Sequence, residues 1–157
     1  MNKVSLYTEK KQEFSEIAFV KDTHHQVKIR DITNSYEFLK AFEIWVTSIG
    51  FKLGIKEDVD DALRADVKEL INMRFKSLSL DELYYAFKLE RFGVYGDKTA
   101  HYQSFNADYV STILDKYTEW KRSVKVTHNI SAKKNPNELS EEQIRFLENN
   151  AMTKAIK

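Results

Sequence analysis

Between positions 34 and 122 the apolar residues recur every three or four places, the spacing of one face of an α-helix. In NSYEFLKAFEIWVTSIG (34–50), Phe38, Phe42, Trp45 and Ile49 form such a stripe; Asn34 or Ser35 supplies the cap, and Gly50 is placed to end the helix. A second helix is predicted from Asp58 or Asp60 to Phe75. Its stripe is Val59, Leu63, Val67, Leu70, Ile71 and Phe75, and its acidic first turn suits the helix dipole. A third begins at Ser79, which pairs with Glu82 as a capping box; Leu83, Ala86, Phe87 and Phe92 follow, and Gly93 is the stop. Residues 94–105, VYGDKTAHYQSF, form a loop or a short hairpin, and Asn106 caps a fourth helix.

That fourth helix belongs to HYQSFNADYVSTILDKYTEWKR (101–122), dense in rings and ending in basic residues. Val110, Ile113, Tyr117 and Trp120 step by three, four and three, so the rings of Tyr117 and Trp120 are expected to face the core rather than stand side by side as a platform for bases. Lys121 falls just inside the apolar stripe, where its stem can snorkel.

Periodicity weakens outside this block. Residues 123–139 contain the single proline and are expected to be a basic linker. Beyond it, Ser140 and Gln143 form another capping box, with Ile144, Leu147 and Ala151 on one face of a final helix within 140–157. Residues 1–33 form an N-terminal arm; EFSEIAFVKDTHHQVKIRDI fits a helix followed by an extended segment, or a small hairpin turning near DTHH. The expected architecture is mainly α: a compact helical bundle over 34–122, with the arm before it and the tethered helix after it. Phe38, Phe42, Trp45, Leu63, Val67, Leu83, Phe87, Val110, Ile113 and Tyr117 are the predicted core.

Composition supports this reading and narrows the chemistry. Four glycines and one proline are too few turn residues for a sheet-rich fold. Absence of cysteine excludes disulfides, thiolate metal sites and thiol nucleophiles, and fits a cytoplasmic protein. No stretch approaches the roughly 20 apolar residues of a membrane span, and MNKVSLYTEKKQEF lacks a signal-peptide core. His24 and His25 diverge on any regular backbone, His101 and His128 lie in separate segments, and HExxH is absent, so no metal site is expected. EDVDD (57–61) lacks the spacing of a calcium loop, and GVYGDK (93–98) lacks the GK[ST] of a phosphate loop. Neither an enzyme nor a cofactor is expected.

The net charge is only +1, so any nucleic-acid role must rest on a local patch. Such a patch lies at the helix exit: Lys116, Lys121, Arg122, Lys125, Lys133 and Lys134 face a single acid, Glu119, with His128 among them. These six are the candidate phosphate contacts, the alternative being a solvated hinge.

The block LSLDELYYAFKLERFGVYGDKTAHYQSFNADYVSTILDKYTEWKR (78–122) resembles a pattern in small helical, helicase-loader-like replication-accessory proteins of Bacteroidota-type phages and mobile elements. Glu82, Leu83, Ala86, Phe87 and Leu89 match its first helix, and His101, Tyr102, Phe105, Tyr109, Val110, Leu114 and Tyr117 its second. ELSEEQIRFLENNAMTKAI is similar to the helix after the linker, although the pattern continues past the point where this sequence stops. The resemblance covers about half the chain in core positions. It implies a non-catalytic phage or mobile-element protein that binds DNA or RNA, or a nucleoprotein machine such as a replicative helicase. The second reading is an inhibitor of a nucleic-acid-guided defence nuclease, bound to a CRISPR effector or its guide RNA.

Overall fold

A computed structural model of the chain describes residues 15–56, 58–130 and Arg145. These residues are helical, with turns between helices, and no strand occurs among them. The described chain opens in helix over 15–22 (α1) and turns through 23–26; the extended segment expected after it is confined to Val27 and Lys28, since 29–32 are helical. Lys28 makes one antiparallel bridge with Ser79, and the amides of Ile29 and Arg30 donate to the carbonyls of Leu78 and Lys76, each at 2.9 Å. The arm is thereby pinned across the turn that leads into the third predicted helix, and Ile29–Ile32 (α2) follows.

The four predicted helices are present as Tyr36–Lys52 (α3), Asp61–Arg74 (α4), Leu80–Arg91 (α5) and Ala107–Thr127 (α6). Each starts where a side-chain acceptor meets orphan amides: Ser35 takes the Phe38 amide, Asp60 that of Ala62, Ser79 that of Glu82 and Asn106 that of Tyr109. The Ser79–Glu82 capping box is reciprocal, the Glu82 carboxylate accepting the Ser79 amide at 2.8 Å.

Two ends differ from expectation. Helix α3 passes through Gly50 and stops at Gly54, whose φ of 74° is left-handed. The Ile55 amide then bonds the Gly50 carbonyl at 3.0 Å, and the Ile55 side chain packs on the core, whereas Phe51, after Gly50, stays 85% exposed. The stop falls where the residue following the glycine can be buried. Helix α6 runs through Thr127, into the segment expected to be linker, because Val124 extends the Tyr117 stripe and is half-buried. Asn129, at φ 54°, ends it, with the Ile130 amide on the Lys125 carbonyl at 2.8 Å. The rest of the linker and, apart from the helical, exposed Arg145, the C-terminal helix lie outside the described residues.

Helix α5 packs on α3 and α6, α6 also on α4, and α2 on α3. At their centre Trp45 meets Phe87 and Phe105 edge-on, both at 5.6 Å between centroids, and Phe87 touches Tyr109. Every predicted core residue is buried except Leu63, which is half-buried because Val67 and Ile71 take the inward side of α4. Trp120 also sits at the edge rather than the centre: it is half-buried, stacks on Tyr117 and meets Tyr85 at a tilt.

Truncating Phe87 should therefore cost about 3–5 kcal/mol. Phe51→Ala, on the outer side of α3, should stay within about 0.5 kcal/mol of the parent. Urea midpoints of the two variants check the assignment of faces.

Candidate nucleic-acid interface

The basic residues at the α6 exit divide into three groups. Two are committed to buried carboxylates. Lys121 Nζ lies 2.5 Å from Glu82 Oε1, on a glutamate with no solvent exposure, and the Tyr117 hydroxyl donates to the same oxygen at 2.7 Å. Lys116 Nζ stands 3.4 Å from Glu90 and donates to the Asp97 carbonyl at 3.0 Å. A carboxylate buried without such partners would carry a large desolvation cost, so these ammoniums belong to the fold.

The second group is Arg122 and Lys125, at the rim of a groove of about 470 Å³ between α4 and α6. Arg122 is exposed and pairs with Glu119 at 2.8 Å; Arg74, across the groove, is held by Asp115 and Ser111. Lys125 is half-buried, and burial together with the neighbouring Lys121 lowers its pKa. The third group, Lys133 and Lys134, lies outside the described residues.

A different surface carries cations without carboxylate partners. The outward stripe of α5 is Asp81, Tyr84, Tyr85, Lys88, Arg91 and, at its cap, Phe92, spaced by threes and ones opposite the buried Leu83, Ala86 and Phe87. Tyr84, Tyr85, Lys88, Arg91 and Phe92 line a depression of about 430 Å³ with Phe19 and Lys52. Lys52, Arg91 and Phe92 also line a second, of about 310 Å³, that continues to Lys98, Thr99 and His101. Among the described residues Lys52, Lys88, Arg91 and Lys98 make no ion pair. Four cations thus face Asp81, the already engaged Glu90 and, close enough to Tyr85 to act on its hydroxyl, Glu16. The Arg91 guanidinium sits 5.6 Å from the Phe92 ring centroid, and Phe19 stacks on Tyr85 at 3.7 Å.

The far wall of this groove is the 94–105 loop, which α5 and α6 hold from below. The Thr99 amide donates to Glu90 at 2.6 Å, and the Tyr95 hydroxyl to the Ala86 carbonyl at 2.9 Å. At the loop tip Tyr102 and Gln103 both take left-handed backbone, φ 50° and 61°. The Gln103 amide donates to His101 Nδ1 at 2.9 Å and its side-chain oxygen accepts the Lys56 amide at 3.1 Å, which secures the turn. That bond also places the neutral His101 proton on Nε2.

Hydrophobic periodicity reports the inward side of α5 and carries no information on its outer stripe. The signal was present in Tyr84, Lys88 and Arg91, which repeat at helical spacing with one sign of charge. Lys52 and Lys98 carry no such signal; they join the stripe because α3 ends and the loop returns beside it.

No group of three or more histidine or acidic side chains placed to hold a metal occurs among the described residues, and no helix there is long and apolar enough to cross a membrane. Comparison with family models, curated proteins and solved structures finds no match for this chain.

Two outcomes follow from the α5–α6 contacts. Lys121→Met should destabilise the protein by about 3 kcal/mol, because Glu82 would remain buried without its cation. A thermal or urea midpoint reads this. Burial, reinforced by Glu82, raises the Tyr117 hydroxyl far above the usual tyrosine range, and burial with Glu90 does the same for Tyr95. The unfolded chain's tyrosines ionise near about 10, so their contribution is complete below that pH and is lost as pH rises. Each should cost about 1.4 kcal/mol per pH unit above about 10. Urea midpoints recorded between neutral pH and pH of about 11 test the sign.

Proposed function

We propose that this protein is a non-catalytic nucleic-acid-binding protein of replication-accessory type, which docks on its target through the groove along the outer face of α5. The observation that carries this reading is the set of cations Lys52, Lys88, Arg91 and Lys98, outside any ion pair among the described residues, on two adjoining depressions that share the exposed Phe92 ring. A protein of net charge +1 that gathers four cations outside any ion pair on one face, where acids are fewer, keeps them available for phosphate. Cations and aromatic rings bind anions and bases and need no bond-breaking step. The replication context, and with it a nucleoprotein partner such as a replicative helicase, rests on the resemblance of residues 78–122.

The Lys121–Glu82 and Lys116–Glu90 pairs give this reading a clear internal control. Replacing Lys52, Lys88, Arg91 and Lys98 together by Ala should leave the helical circular dichroism spectrum unchanged. Affinity for a labelled oligonucleotide should fall, and the slope of log affinity against log salt should become shallower by about 0.7 per lost contact on a single strand, or about 0.9 on a duplex. An unchanged slope in the fourfold variant overturns the proposal.

A further inference from the structure

We infer that the strand held in the α5 groove is single-stranded, with its bases stacked on Phe92 and Tyr102; this rests on the nucleic-acid reading above. The cations alone would suit any polyanion. The rings do not. Phe92 is 65% exposed although it directly follows α5, where a polar residue would end the helix equally well. It lines both depressions together with Lys52 and Arg91, the Arg91 guanidinium lying 5.6 Å from its ring centroid. Tyr102 is 89% exposed and follows His101, which lines the groove's far end. Its backbone is held left-handed, a conformation costly for a tyrosine, and the bonds from Gln103 to His101 and Lys56 keep it there. A local structure that spends strain to present an aromatic ring to solvent fits a ring whose partner is absent from the free protein.

Duplex bases are already stacked on each other, so an aromatic ring can take one only after that stack is opened, at a free-energy cost for each step. An unpaired strand offers free base faces to the rings while its phosphates follow the cations. Stacking tolerates any base, so little sequence preference is expected.

The test measures anisotropy of labelled oligo-dT and oligo-U of about 12 nucleotides, and of a hairpin duplex, against the full chain. The parent should bind one or both single strands at least about tenfold more tightly than the duplex. Phe92→Leu and Tyr102→Ser should each weaken single-strand binding by about tenfold with duplex binding unchanged, while Phe92→Trp retains it and shows tryptophan quenching on binding. Equal affinity of the parent for duplex and single strands overturns this inference, as does a Phe92→Leu variant that binds like Phe92→Trp. In either case the shallower salt slope of the fourfold cation variant would keep the broader reading standing. Binding to none of the three probes overturns both.

Discussion

The burial of Glu82 is the constraint on which the rest of the molecule turns. One carboxylate closes the capping box of α5 through the Ser79 amide, accepts the Tyr117 hydroxyl and meets the Lys121 ammonium. It therefore fixes where α5 starts and how α6 is rotated and shifted against it. Ser79 extends the same network by donating to Gln26 at 2.5 Å, and its backbone bridges Lys28, so the arm is tied to that point as well. A buried charge tolerates few arrangements, since each lost partner leaves a desolvated group unpaired. An apolar contact at this position would have allowed the helices to slide.

Glu90 repeats the device two turns along α5, with Lys116 as its cation and the Thr99 amide as its second donor. Together the two glutamates hold α6 and the 94–105 loop against α5, and its outer stripe stays only partly covered, by Phe19 stacked on Tyr85. The groove is a consequence of that arrangement. Its outer stripe carries polar and charged side chains because the inner one has taken up the core, the capping box and both buried acids.

The same logic separates lysines that look alike in sequence. Lys116 and Lys121 belong to a run of basic residues, yet each neutralises a carboxylate that the fold buries. Lys88 and Lys98 have no such partner among the described residues. Charge density along the chain is thus a poor guide to where positive potential emerges, because carboxylates distant in sequence can be adjacent in space.

Much of the fold was legible from local chemistry. Caps at Ser35, Asp60, Ser79 and Asn106, and stripes such as Phe38–Phe42–Trp45–Ile49, act within one or two turns, so the sequence by itself determined the class, the helices and most of the core. Helix ends were less so: Gly50 and Gly54 are equivalent locally, and only the burial of Ile55 selects the second. Val124 could have revealed the longer α6, but the basic residues around it masked a weak stripe. The partners of Lys116 and Lys121, and the meeting of Lys52 and Lys98 with the α5 stripe, depend on contacts between segments far apart in sequence. Tertiary structure alone decided these, because the energy of a charge is set by what surrounds it in space and not by its neighbours along the chain.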